Sequence, residues 1–68
     1  MTDSKLLREK IEESGLKITH IAKMVGLTYH GLLNKIDNRS EFRATEIKGL
    51  SDILHLTEED RIAIFFAD

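Results

Sequence analysis

Residues 17–36, KITHIAKMVGLTYHGLLNKI, decide how the chain is read. Ile21, Ala22 and Val25 recur at three- and four-residue intervals, the repeat of a helix with one buried face. Ala22 is small, so another helix can approach closely there. Gly26 breaks the pattern and Leu27 turns inward after it. Thr28 can cap a second helix, because its hydroxyl accepts from an amide that the first turn leaves unpaired. That helix runs from Tyr29 to about Ile36, with Leu32 and Ile36 four apart on the core side and Leu33 half-buried beside them. Its first turn, with Tyr29 and His30, is expected to expose polar and aromatic side chains. The stretch predicts a helix over Ile18–Val25, a tight turn, and a helix whose outer face is polar and aromatic.

The flanking segments extend the same helical pattern. Before it, Asp3 or Ser4 caps a first helix that places Leu7 and Ile11 on one face, with Leu6 beside them. Gly15 stops that helix in a left-handed conformation, and Leu16 follows as an apolar plug. After it, Asp37-Asn38-Arg39-Ser40 is a polar loop, anchored by Phe42. Ile47, Leu50, Ile53 and Leu54 form the stripe of a fourth helix over about Ala44–Leu54. Thr57 and Asp60 have the offset of a capping box, and Glu58, Glu59 and Asp60 sit at the positive end of the last helix. Within that helix, Ile62 and either Phe65 or Phe66 are expected to fill the core. Ile64 and the other phenylalanine are left near the surface. With no proline and few glycines, residues 1–68 are predicted to form one all-α domain of five helices.

At 68 residues the core must be thin, since chains of about 60 residues bury only roughly 60% of their unfolded surface. A core of that size is usefully supported by a partner subunit. Cysteine is absent, so neither a disulfide nor a thiolate metal site can contribute; this agrees with a reducing cytosol. His20, His30 and His55 lack metal-ligand spacing, and no cofactor is implied. No apolar run approaches the ~20 residues that span a bilayer, and no basic-then-apolar leader opens the sequence. A soluble, unprocessed, cytoplasmic protein is expected. Glu58, Glu59 and Asp60 are carboxylates at a helix start with no convergent base or nucleophile, so no enzyme is expected.

The net charge is −2, but its distribution is uneven. Residues 1–16 carry a net −1 and residues 49–68 a net −4. Residues 17–48 carry Lys17, Lys23, Lys35, Arg39, Arg43 and Lys48 against Asp37, Glu41 and Glu46, a net +3. The only cationic part of the chain therefore coincides with the two-helix stretch, which gives modest support for a polyanionic partner.

The run IAKMVGLTYHGLLNKI resembles the lambda-repressor-like helix-turn-helix family, which includes Cro-type and other small phage and prophage regulators. Ile21, Ala22, Gly26, Leu27, Thr28 and Leu32 match the family pattern. The segment from Asn38 to Phe42, followed by TEIKGLSDIL, is similar to the family's connection into its fourth helix, so the likeness covers nearly the whole chain. It implies a five-helix domain that binds double-stranded DNA as a small transcriptional regulator of repressor type. It further implies that Tyr29, His30, Gly31 and Asn34 face bases. Thr28, Lys35, Asn38 and Arg39 are implied to meet phosphate. One position departs from the pattern: relatives often begin the second helix with a glutamine that touches phosphate, where Ile18 stands here. Thr19 or Lys17 can substitute for it.

The residue chemistry fits those roles. Asn34 can pair with an adenine edge through both amide groups, worth ~1–3 kcal/mol against a wrong base. Tyr29 can reach phosphate or a thymine methyl, or fold back over the thin core. His30 can donate or accept near neutral pH. Gly31 costs ~0.8–1 kcal/mol relative to alanine in a helix, which a close approach to DNA would explain and simple tolerance would equally allow. Lys17, Lys23, Lys35, Arg39 and Arg43 are the cationic phosphate candidates, which position without specifying sequence.

A single such domain reads only a few base pairs, whereas two related by a twofold axis read half-sites ~34 Å apart. The surplus of apolar groups in Ile62, Ile64, Phe65 and Phe66, with Leu54 nearby, predicts a homodimer sealed there. The alternative reading is a protein-interaction module of antitoxin or anti-repressor type, which the net acidity and the missing glutamine favour.

Overall fold

The computed structural model describes residues 1–67. Five helices follow one another: α1 Ser4–Ser14, α2 Ile18–Val25, α3 Tyr29–Ile36, α4 Ala44–Ile53 and α5 Glu58–Phe65. No strand occurs among the described residues, so the domain is all-α. Each boundary has a local cause. Asp3 caps α1, its Oδ1 accepting from the Leu6 amide at 3.0 Å. Ser4 instead donates its hydroxyl to the Ile36 carbonyl, tying the start of α1 to the end of α3. Gly15 and Gly26 close α1 and α2 at φ 72° and 79°, a conformation that costs glycine nothing for want of a Cβ. Thr57 and Asp60 form the reciprocal box at the start of α5, each side chain accepting from the other's amide at 3.1 Å.

The core draws on every helix. Leu7, Ile21, Leu32, Ile36, Leu50 and Ile64 are wholly buried, and Ile11, Ala22, Leu54 and Phe65 nearly so. Burying a side chain of this kind contributes about 1.5–3 kcal/mol before chain entropy is counted. α2 packs on α3 and α4, α1 on α3 and α5, and α5 on α4. The α2–α4 approach is close at a residue the pattern did not single out: a Cβ on Gly49 would lie 3.1 Å from Val25 Cγ1. Phe42 anchors its loop as expected, meeting Phe65 edge-on with ring centroids 5.4 Å apart.

Two expectations need correction. Leu16 is 36% exposed and lies at the rim of a shallow groove with Ile53 and Leu54, rather than plugging the core. The Ser14 hydroxyl accepts from the Leu16 amide at 3.1 Å, which holds the chain outward after Gly15. In α5 the two isoleucines exchange places: Ile64 is fully buried and Ile62 is 56% exposed. Phe65 points inward, and successive helical residues are about 100° apart, so Ile62 and Ile64 fall on opposite flanks of it. The flank of Ile64 lies under the amino-terminal segment, whose Asp3 amide donates to the Ile64 carbonyl at 2.7 Å. Ile62 faces outward together with Phe66, which is 63% exposed.

Candidate nucleic-acid interface

Gly26, Leu27 and Thr28 are the whole connection between α2 and α3. The Leu27 amide donates back to the Ala22 carbonyl at 2.8 Å, and the Thr28 hydroxyl accepts from the Gly31 amide at 3.0 Å. The turn is therefore hydrogen-bonded on both sides, and α3 is held as a rigid element. Leu32 and Ile36 occupy its inner face. His30 and Asn34, one turn apart, are exposed on the outer face. Tyr29 is 44% exposed and does not fold back into the core; its ring stands edge-on to that of His30, with centroids 5.5 Å apart. The three side chains expected to protrude do so.

Gly31 is half-buried, and a side chain there would crowd the cap of its own helix. A Cβ there would come within 2.9 Å of Thr28 Oγ1, the oxygen that caps the helix. A residue with a Cβ would require the Thr28 hydroxyl to shift slightly; the equivalent caps in α1 and α5 do not prevent Leu6 and Asp60 from carrying one.

The cationic candidates separate into two groups. Lys17, Lys23, Arg39 and Arg43 are exposed and make no ion pair among the described residues. Lys17 precedes α2, whose amino end has no side-chain cap, and Thr19 is exposed in that first turn. Arg39 and Arg43 lie on the α3–α4 connection. With Asp37 held by Arg8 at 2.8 Å, the only unpaired carboxylate on the same stretch is Glu41. Lys48 spends its charge on Asp52 at 3.3 Å.

Lys35 and Asn38, expected to meet phosphate, are both engaged inside the protein. Lys35 Nζ lies 2.5 Å from Glu46 Oε1, with the two side chains only 14% and 11% exposed. The same carboxylate oxygen accepts from the Arg43 amide at 2.8 Å, capping α4. Burial pushes the Glu46 carboxyl upward, but the Arg43 amide and the Lys35 ammonium outweigh it and hold the group below its usual value. Asn38 sits at φ 65°, closing α3 so that the Arg39 amide donates to the Asn34 carbonyl at 2.8 Å. Its side chain reaches back to the amino terminus, with Oδ1 and Nδ2 both bonded to the peptide groups of Thr2.

Glu46 and Thr2 thus belong to the support of the site, and sequence reasoning singled out neither. For Glu46 a faint signal existed: it stands three residues after the α4 cap position, where a glutamate reaches back to the cap amide. For Thr2 none did, since its partner is 36 residues away.

Of the residues expected to form a dimer seam, Leu54, Ile64 and Phe65 are buried within the protomer, and Ile62 and Phe66 are exposed. Among the described residues no three His, Cys, Asp or Glu side chains gather as a metal-holding group, and no helix is long and apolar enough to cross a membrane. Compared with protein-family models, curated proteins and solved structures, the chain matches none.

Proposed function

We propose that this chain is a sequence-specific double-stranded-DNA-binding regulator of repressor type, with the lambda-repressor-like arrangement in which α2 and α3 form the helix-turn-helix. The observation that carries the reading is the outer face of α3. His30 and Asn34 project from a helix whose opposite side is locked in the core, and the Tyr29 ring braces His30. Base edges in the major groove are read by side chains presented in this way. Lys17 and Lys23, at the start of α2 and within it, and Arg39 and Arg43, on the α3–α4 connection, have no ion-pair partner among the described residues and are the cations free to track phosphate. Two copies are expected on one site, sealed around Ile62 and Phe66, and small phage or prophage regulators are the kind of protein this describes.

Selection from a pool of randomised duplexes, followed by affinity measurement across a salt series, tests the reading. Enrichment of a twofold-symmetric sequence and a steep fall of affinity with salt are expected. Failure to enrich any sequence, with no binding even at low salt, overturns it. A second reading as a protein-interaction module is favoured by one observation: the lysine on α3 is neutralised by Glu46, so α3 itself presents no free positive charge.

A further inference from the structure

The ion pair between Lys35 and Glu46 joins the last turn of α3 to the first turn of α4, just where the loop bearing Arg39 and Arg43 begins and ends. Glu46 is needed there for a local reason, since its Oε1 accepts from the Arg43 amide that α4 would otherwise leave unpaired. A bare carboxylate at that place would oppose the approach of phosphate to Arg39 and Arg43. Lys35 lies at 2.5 Å from the same oxygen and shares its shelter from solvent. No other ammonium or guanidinium pairs with Glu46 among the described residues.

We infer that Lys35 is a positioning residue rather than a phosphate ligand: it cancels the charge of the Glu46 cap, so that Glu46 adds no net negative charge where Arg39 and Arg43 meet the DNA backbone and Glu41 is the one carboxylate left uncompensated on the loop. The inference rests on the DNA-binding reading above and deepens it. An ordinary phosphate contact from Lys35 would add its charge to the interface. Here the charge is consumed internally, and the contribution to binding runs through Arg39 and Arg43.

The two roles part company in a double variant. Lys35→Met keeps the aliphatic stem and removes the ammonium; Glu46→Gln keeps an oxygen for the Arg43 amide and removes the negative charge. Affinity for a selected duplex is measured across a salt series for the unaltered chain, both single variants and the pair, with thermal melts alongside. Lys35→Met alone is expected to weaken binding by about tenfold, since it exposes the carboxylate. The pair is expected to bind within about threefold of the unaltered chain and with the same salt slope. Should Lys35→Met fail to fold, the comparison of the pair with the unaltered chain still decides the matter. A pair as weak as Lys35→Met, or one whose salt slope is smaller by about one, makes Lys35 a phosphate ligand and overturns the inference alone. No binding by the unaltered chain overturns the DNA reading and this inference together.

Discussion

Asn38 grips the peptide of Thr2 from both sides: its Oδ1 accepts from the Thr2 amide at 2.9 Å, and its Nδ2 donates to the Thr2 carbonyl at 2.8 Å. The residue also closes α3 in the left-handed region, which asparagine tolerates better than other residues that carry a Cβ. These two functions can be separated. Asn38→Gly keeps the backbone conformation and loses the grip, at an expected cost of about 1–2 kcal/mol. Asn38→Ala loses both and is expected to cost about 1 kcal/mol more. Urea denaturation measures the two values. Because the side chain is engaged internally, the folded Asn38→Gly variant should bind DNA as the unaltered chain does, and an equal loss of affinity on selected and random duplexes would return Asn38 to the phosphate contacts.

Asn34 and Arg39 should divide recognition between them. Asn34 is exposed on the reading face of α3, so Asn34→Ala is expected to flatten the preference for the selected site by ~1–3 kcal/mol while leaving affinity for random duplexes nearly unchanged. Arg39 makes no ion pair among the described residues, so Arg39→Ala is expected to weaken selected and random duplexes alike. Competition titrations against random duplex measure both. Equal losses on the two duplexes for Asn34→Ala would remove it from base reading.

Thr28 and Gly31 are coupled through 2.9 Å of space. Thr28→Ala alone removes the cap of α3 and is expected to cost about 1 kcal/mol. Gly31→Ala alone gains helix propensity of ~0.8–1 kcal/mol but crowds the capping oxygen, so its net effect should be near zero or destabilising. In the Thr28→Ala background the crowding is gone and the propensity gain should appear in full. A double-mutant cycle by thermal unfolding reads the coupling. Additive effects would mean that the cap moves aside freely, and would leave close approach to DNA as the reason for glycine.

What could be read in advance, and what could not, follows from the range of the interactions. Helix ends were legible because caps are local: Asp3, Gly15, Gly26, Thr28 and the Thr57–Asp60 box each act within a few residues. The inner faces of α1 to α4 were legible because a 3.6-residue repeat leaves one stripe to bury. α5 defeated that logic, since Ile62, Ile64, Phe65 and Phe66 surround the helix and only tertiary packing selects a pair. At the candidate site, the exposure of His30 and Asn34 agrees with what the family resemblance implied, whereas Tyr29 shares the three- and seven-residue spacing of Leu32 and Ile36, so the repeat alone left its direction open. The fates of Lys35 and Asn38 were not legible, because Glu46 and Thr2 lie far along the chain. A charge count over residues 17–48 sees the same net +3 whether or not Lys35 is engaged.

Acid should loosen the structure at two places. The Asp60 carboxyl is held below its ordinary value by its bond from the Thr57 amide, against a smaller upward push from burial, with help from the Thr57 hydroxyl and from Lys10 at 3.6 Å. Glu46 is lowered as well, as set out above. A carboxyl whose folded pKa is depressed contributes stability that is complete above its unfolded value and disappears as pH falls through the folded one. The contribution of both groups should therefore be intact above about pH 5 and lost progressively below about pH 4. Glu46→Gln, which cannot titrate, should make the acid limb of a stability–pH curve shallower. An unchanged acid limb in that variant would mean that Glu46 is not depressed.

The exchange of Ile62 and Ile64 gives the dimer proposal a sharp form. Ile64 is fully buried in the protomer, so Ile64→Ala should cost about 2–5 kcal/mol whether the protein is one chain or two. Ile62 and Phe66 are mostly exposed and contribute little to the protomer; Ile62→Ser and Phe66→Ser should each change its stability by less than about 0.5 kcal/mol. If those two side chains seal a pair of chains, the same substitutions should raise the concentration at which the free protein dimerises and reduce cooperative filling of a twofold-symmetric site. Sedimentation equilibrium of the free protein and of its DNA complex distinguishes the cases. Wild-type chains that remain single at every concentration, on DNA and off it, would leave Ile62 and Phe66 without a role in pairing, and a dimer unaffected by either serine would place the seam elsewhere.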